Sequence, residues 1–331
     1  MSAPVNLDPA KPEIDTAMRE NPLIAETAAD FAGAPAASSP RKASRLKPVW
    51  QDFSESRTAV IALITCGILL VLALIGPWIA PQNPYDLTQI SFFDSRLPPL
   101  SRTPEGTLYL LGSDNQGRDM LSAMLYGLKT SLFVGVASGV LAIAVGVSLG
   151  LTAAYAGGAV DAAIMRVVDF MLGFPTILVA LMMLALLGQG IDKVIFALVL
   201  VQWAYFARAV RATALTERSK EYIEAARSLG LSHARIVFKH LAPNCLPPVI
   251  VIGTMQVASA ISAEATLSFL GLGLPVTEPS LGLLISNGFN VMLAGLYWIS
   301  VFPGLLLLLL IFSINIVGDR LREVLNPRNA K

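Results

Sequence analysis

Charge is scarce in this chain: Asp, Glu, Lys and Arg together make up 14% of 331 residues. A soluble domain carries about 25%, so an ordinary water-facing globule is excluded. The scarcity is also uneven, with several uncharged stretches longer than the roughly 20 residues a helix needs to cross a bilayer. Cysteine is nearly absent. Cys66 and Cys245 lie in or near apolar runs, which rules out a disulfide framework or a cysteine metal site and leaves packing. Histidine is as rare, and neither His233 nor His240 belongs to a His/Asp/Glu cluster with metal-ligand spacing. No G-x-x-x-x-G-K-[ST] run is present to cradle phosphates, so the chain is not expected to hydrolyse ATP or to bind a cofactor. The net charge of +1 says nothing about partners; its distribution does.

What is present is a series of apolar segments separated by polar punctuation. Residues 1–50 are rich in Ala, Pro, Ser and charge and are expected to form a disordered cytosolic tail. The first apolar run, Thr58–Ala80, starts too far along for a secretory signal and is expected to be a retained anchor. It lies in the segment 51–80. Arg41, Lys42, Arg45, Lys47 and Arg57 precede it and place that end in the cytosol. Residues 81–128 are polar and read as an outer region. In it Asp86, Asp94, Glu105, Asp114 and Asp119 outnumber Arg96, Arg102 and Arg118. The run from Gly112 to Asp119, "GSDNQGRD", predicts an ordered loop leading into a short amphipathic piece, Met120–Leu128.

Five further crossings are expected within 129–318. Segment two, Ser131–Ala153, carries Gly135 with Gly139 and Gly146 with Gly150. Glycine is common in membrane helices, but two pairs at a spacing of four favour close approach of another helix. Segment three runs from Asp161 to Leu187. Arg166 and Asp169 are three apart and are expected to pair, Asp161 suits the helix start, and Pro175 should bend the helix locally. Segment four covers Ile191–Ala209, with Trp203 and Tyr205 anchoring its inner end. Segment five covers Pro247–Ile261 and extends to Phe269. Its Glu264 either lines a water-filled path or sits at headgroup level. Residues 279–318 divide into a short outer helix around Asn287–Asn290 and a last crossing, Tyr297–Val317, which Pro303-Gly304 could kink. The basic tail 319–331 is expected inside. Lys129 and Lys193, near outer ends, are exceptions to the charge rule. The fold expected is therefore all-α, with six crossings and both termini cytosolic.

Between segments four and five lies the one long cytosolic connection, 210–243. It reads as helix, glycine turn, helix. Glu217, Glu221 and Ala225 are spaced for one face, and Glu224 with Arg227 for an i,i+3 contact. Gly230 fits a helix C-terminus and Ser232 the N-cap of the next helix. Ala225 and Ala226 leave room for another surface. A helix–glycine–helix also occurs in DNA-binding proteins, but tethering at both ends to the membrane argues against nucleic acid. A solvated loop and a docking surface for a cytosolic partner both remain open on these residues.

"EYIEAARSLGLSHARIVFKHLAPN" resembles the Glu-Ala-Ala loop of permease subunits in ATP-binding-cassette importers. Glu224, Ala225, Ala226, Gly230 and Pro243 match its positions, while Ala242 stands where Leu is usual. "GSDNQGRDMLSAMLYG", "YAGGAVDAAIMRVVDFMLGFP", "EATLSFLGLG" and "GDRLREVLNPR" make the chain similar to the second permease of dipeptide, oligopeptide and nickel importers, over about residues 50–328. Gln116 and Leu281 depart from common family residues. The resemblance implies a type I importer permease in a bacterial inner membrane, forming half of a path. It implies a second permease, two cytosolic ATPases that use ATP, and a periplasmic binding protein as partners. Glu221, Glu224, Ala225, Ala226, Arg227, Gly230 and Pro243 would couple to the ATPase, and Asp169, Phe174, Pro175 and Glu264 are candidates for the path or gate. Peptide is the first expectation for substrate. Nickel, glutathione, opines or another small solute are alternatives, and an ion-coupled secondary carrier is the alternative of another class.

Overall fold

The computed structural model describes residues 46–86, 88–103 and 106–325. Residues 1–45 of the expected N-terminal tail, Arg41, Lys42 and Arg45 among them, lie outside the described residues, as do Glu105 and the end of the basic C-terminal tail, while residues 46–50, expected in that disordered tail, are helical. Residues Met1–Pro48 and Val49–Lys331 separate as two units, and the spanning helices belong to the second.

Among the described residues the chain forms eleven α-helices. A short helix α1 (Leu46–Ser54) precedes α2 (Arg57–Ile79). Ser56 caps α2, its hydroxyl accepting from the Ala59 amide. Ala59, Ala62, Leu69, Ala73 and Gly76 form its buried stripe, while Ile61, Ile64, Ile68 and Leu74 are exposed. A helix apolar on every side is stable in lipid, because all its backbone groups bond within the helix.

The next long helix departs from expectation. α3 (Met120–Ala156) is one continuous helix of 37 residues, so the expected amphipathic piece Met120–Leu128 is simply its first turns, and those turns are largely buried. No proline or helix-ending glycine separates the two stretches, and the Thr130 hydroxyl bonds the Tyr126 carbonyl within the same helix. At 1.5 Å per residue α3 is about 55 Å long, well beyond the hydrocarbon thickness of about 30 Å.

The glycine stripes of α3 lie where other helices come closest. A methyl group at Gly146 would stand 2.5 Å from Phe206 Cβ and 2.6 Å from the Trp203 carbonyl; at Gly150 it would meet the Ala207 carbonyl at 2.6 Å. Those partners belong to α6 (Ile191–Arg218). Gly135 takes the same role against Ile261 of α9 (Ala242–Phe269). Without a hydrophobic drive between helices in lipid, such close packing holds the bundle by dispersion.

Segment three is not one bent helix. It is two, α4 (Gly158–Leu172) and α5 (Thr176–Leu187), meeting at 89°. Gly173 ends α4 and Pro175 stands at the N-cap of α5, where its missing N–H costs nothing. Segment four continues past Ala209 to Arg218. Trp203 is therefore well inside α6, buried against α4, and does not anchor an end.

After α6 come α7 (Glu221–Ser228), a helical turn α8 (His233–Arg235), a wider π-type stretch Ile236–Leu241, and α9. α10 (Leu281–Phe289) is the short helix expected before the last crossing, α11 (Trp298–Leu325), which contains Pro303 without interruption. Five helices are long and apolar enough to cross a membrane, and the bent pair α4–α5 makes a sixth. One end of the bundle carries residues 219–241 and is called the elbow end. The other is covered by residues 81–119 and 270–297, with a two-stranded ribbon, β1 (Ser101–Arg102) against β2 (Leu108–Tyr109).

The predicted ordered loop is present at the covered end. Asp114 and Arg118 form a buried ion pair at 2.7 Å. Asp114 Oδ1 also accepts from the amides of Gln116 and Arg118. The Trp298 indole donates to the Ser113 carbonyl, and Asn115 donates to the Asn287 carbonyl, so the loop is tied to α10 and α11. Asp119 caps α3 through the Ser122 amide.

Candidate functional site

The elbow begins where α6 stops. Ser219 ends that helix and Lys220 opens α7, its carbonyl accepting from Ile223. The break falls between Glu217 and Glu221, so Glu217 does not join the helix face that Glu221 and Ala225 share, four apart in α7. Glu217 turns instead to Lys220 Nζ and to the Tyr222 hydroxyl, which donates to it at 2.8 Å. Tyr222 in turn accepts from Asn244 of α9. Burial and the Glu217 carboxylate beside it push the Tyr222 phenol up to about 12.

α7 buries one side only. Ile223 and Ala226 pack on Ile236, Leu231 and Tyr155. Glu221, Glu224, Ala225 and Arg227 are exposed. The two alanines therefore divide the work: Ala226 lets α7 sit close on its own bundle, and Ala225 leaves the outer face flat. Leu229, four beyond Ala225 and 79% exposed, adds apolar surface to that outer face, and Phe238 on the π-type stretch is 74% exposed. Among the described residues no ion pair joins Glu224 to Arg227. The Arg227 guanidinium lies 5.9 Å from the centre of the Tyr155 ring instead.

Gly230 has φ of +70°, the left-handed region that glycine enters without penalty. Its amide bonds the Arg227 carbonyl and the Leu231 amide bonds the Ala226 carbonyl, the paired bonds of a Schellman turn. The turn fixes the angle between α7 and α8. Ser232 does occupy the next N-cap position, but its side chain makes no capping bond. Only its carbonyl engages, accepting from Ile236. Pro243 is the second residue of α9 and is exposed.

Three attachments bind the elbow to the spanning helices. α6 enters it directly, and the π-type stretch runs into α9 directly. The third attachment is Tyr155, at the end of α3. Its hydroxyl bonds His233 Nδ1 at 2.5 Å and its ring meets the imidazole edge-on. Nearby, Arg218 donates to the Ala154 carbonyl at 2.8 Å. Nothing in the local sequence singled out Tyr155, whose position in the turn-like "YAGG" suggested only a helix end.

The candidates for the path or gate lie apart from the elbow and from one another. Asp169 of α4 pairs with Arg208 of α6, not with Arg166, and Asp161 pairs with Arg211. α4 and α6 run antiparallel with Val168 packed against Ala204 and Ala207, which brings both aspartates to one arginine-bearing face of α6. Two cross-helix pairs therefore replace the expected one within α4. Phe174 and Pro175 are exposed at the 89° break, the Phe174 ring edge-on to Phe170. Glu264 faces neither open water nor a surface. It is wholly buried and accepts from Ser131 of α3 at 2.9 Å and from Ser268 at 2.8 Å, with Ser280 as a third hydroxyl neighbour. Its carboxyl thus joins α3, α9 and the turn before α10. Cys245 is buried and Cys66 partly buried, and neither is paired.

Comparison with known proteins agrees with this architecture. Residues 146–331 match the family model described as the binding-protein-dependent transport system inner membrane component, and residues 44–99 match the N-terminal TM domain of oligopeptide transport permease C. The dipeptide transport system permease protein DppC of Escherichia coli K12 is 38% identical over 292 residues, covering 88% of this chain and 96% of that one. The di/tripeptide transport system permease protein DppC of Pseudomonas aeruginosa is 35% identical over 286 residues, covering 86% and 93%. The Haemophilus influenzae dipeptide permease DppC is 35% identical over 283 residues, covering 86% and 95%. Among solved structures, an inward-facing form of the MetNI methionine ABC transporter superposes with a TM-score of 0.51 at 21% identity, over 62% of this chain and 97% of that one, and thereby shares the fold.

Proposed function

Since the chain belongs to the family of binding-protein-dependent transport system inner membrane components, we propose that it forms half of a path for di- or oligopeptides, in an importer whose ATP is used by other subunits. Relatives at 35–38% identity named as dipeptide or di/tripeptide permeases support the peptide assignment. The partners on this reading are a second homologous permease, two cytosolic ATPases and a periplasmic binding protein that delivers the peptide. The chain lies in a bacterial inner membrane with the elbow end and both termini cytosolic, and it needs no cofactor of its own.

One observation carries the coupling role. The elbow is continuous with α6 and α9 and is bonded to α3, so force on its exposed face reaches three spanning helices. A flexible loop would absorb that force. The Schellman turn at Gly230 and the packed side of α7 make the elbow stiff. On this reading an ATPase binds Glu221, Glu224, Ala225 and Leu229. When ATP closes the two ATPases, the elbow moves and the helices follow. Glu224, Ala225, Ala226, Arg227, Gly230 and Pro243 serve it by shape as much as by contact.

The test is ATP-driven uptake of dialanine by the reconstituted complex. Gly230→Pro forbids the positive φ and removes the amide that bonds Arg227. Leu229→Asp leaves the elbow folded, since that side chain is exposed, and charges its outer face. Both variants are expected to lose at least tenfold in uptake at unchanged membrane abundance. Normal uptake by Leu229→Asp would refute docking at this face.

A further inference from the structure

Most exposed faces of the spanning helices are those of lipid-facing helices. α2 shows Ile61, Ile64 and Ile68, α5 shows Leu178, Met182 and Leu186, and α11 shows Leu305, Leu308 and Phe312. α9 breaks the pattern. Near its middle the exposed residues are Met255, Ser259 and Ser262, at helical spacing. Hydroxyls turned to hydrocarbon gain nothing there, and polar groups at membrane depth face a bundle interior or a water-filled cavity.

A cavity is present at that place. A groove of about 500 Å³ runs between α9, α11 and the start of α5. That volume is within the range of small-molecule sites, about 300–1,000 Å³. Gln256, Ser259 and Ser262 line it from α9, Asn315 from α11 and Thr176 from α5, just past the break at Pro175, and the rest of the wall is apolar, from Ile177, Met255 and Ile311 to two alanines. Gln202 of α6 holds the α9 side in place by donating to the Gln256 carbonyl. None of the lining residues is Asp, Glu, Lys or Arg. Glu264, two residues beyond Ser262, is enclosed by serines on the buried side of the same helix and supplies no charge to the groove.

We propose that this groove is the chain's water-filled wall of the solute path, and that it holds the passing solute by uncharged hydrogen bonds and apolar contact, with no ion pair. The substrate part of the inference rests on the peptide reading above. Carboxamides and hydroxyls offer donors and acceptors to peptide groups and to both termini. With no fixed charge in the wall, an acidic and a basic dipeptide meet the same surface. Selection by side-chain charge is therefore absent at this depth, and a single introduced charge creates it.

The experiment uses the reconstituted complex with its binding protein and has two arms. In the first, single cysteines at Ser259, Ser262, Ile61 and Leu305 are exposed to a small anionic, water-soluble methanethiosulfonate during ATP turnover. The natural chain, holding only Cys66 and Cys245, gives the background. Ser259→Cys and Ser262→Cys are expected to react at least tenfold faster than Ile61→Cys and Leu305→Cys, and their modification to block uptake. Equal, slow reaction at all four positions in an active transporter would overturn the path assignment. The reaction rates in this arm do not depend on which solute is carried. In the second arm, uptake of Ala-Glu and Ala-Lys is compared in the natural chain and in Ser262→Asp. The ratio of Ala-Lys to Ala-Glu is expected to rise at least fivefold in the variant, and an unchanged ratio would overturn the neutral-wall inference. If the natural complex imports neither peptide while the cysteines at 259 and 262 still react, the peptide reading fails and the path assignment stands.

Discussion

Replacing Gly146 by Ala adds one methyl group and is expected to loosen the pairing of α3 with α6. The new carbon would lie 2.5 Å from Phe206 Cβ, 2.6 Å from the Trp203 carbonyl oxygen and 3.0 Å from the Ala207 amide nitrogen. Ordinary carbon contacts are about 3.5–4.0 Å. All three obstacles are main-chain or Cβ atoms, so no rotamer change clears them, and α6 must retreat by about 1 Å. A gap of that size forfeits a quarter to a half of the dispersion well along the seam. Overpacking of this kind costs about 1–3 kcal/mol. Gly150→Ala meets the Ala207 carbonyl at 2.6 Å on the same seam, so the double variant should fall short of the sum of the two. Gly67→Ala is the control, because no atom lies within 4 Å of its added methyl. Gly253→Ala meets only the flexible end of Ile143, at 3.3 Å. The assay is thermal unfolding of the purified transporter in detergent, followed by tryptophan fluorescence. Gly146→Ala should melt several degrees below the natural chain, with Gly67→Ala and Gly253→Ala within about a degree of it, surface-like changes being usually within ±0.5 kcal/mol. Equal melting of Gly146→Ala and Gly67→Ala would refute the reasoning.

The Glu264 carboxyl should tolerate Gln, which keeps one acceptor oxygen and offers its NH2 as donor to the second hydroxyl, better than Ala, which leaves the buried hydroxyls short of a partner at about 1–3 kcal/mol; comparing melting of the two variants decides it. Breaking the buried Asp114–Arg118 pair with Asp114→Asn should cost about 3–5 kcal/mol and open the loop to limited proteolysis after Arg118 or Arg96; unchanged cleavage would count against its role in holding that end. A double-mutant cycle on Asp161 and Arg211 in the same melting assay should return a coupling of up to about 1 kcal/mol, because the pair is partly exposed. The Tyr222 phenol is raised in the folded chain from the ordinary 10 to about 12, so its contribution is complete below pH 10 and is lost as pH rises through about 12. The phenolate absorbance difference between the natural chain and Tyr222→Phe should show that late midpoint, and a midpoint near 10 would contradict the contact with Glu217.

Much of the bundle was legible because crossing a bilayer demands long uncharged runs, and Thr58–Ala80 and Tyr297–Val317 are such runs. The glycine pairs of α3 were legible because spacing alone puts them on one face, and the Gly230 turn because few residues accept its φ. Ion pairing was not. Arg166 and Asp169 have the right spacing, yet Asp169 prefers Arg208, which is 39 positions away and becomes a neighbour only once α4 lies along α6. The continuity of α3 was hidden because a polar loop followed by Lys129 looks like an ending, while burial under α10 and α11 keeps the helix going. Glu264 posed the hardest case. Its cage draws Ser131 and Ser280 from distant parts of the chain, and no window of sequence contains all its members.

The wide turn at Ile236–Leu241 sets how the elbow is joined to α9. Each ring of hydrogen bonds there holds one residue more than an α-helical ring. Tightening the stretch to α geometry would release that residue and swing His233, with the elbow above it, by about 100° around the axis of α9. The extra residue therefore sets the rotational phase at which the elbow joins α9, and removing one residue from the stretch would carry His233 away from Tyr155 and Ile236 away from Ile223.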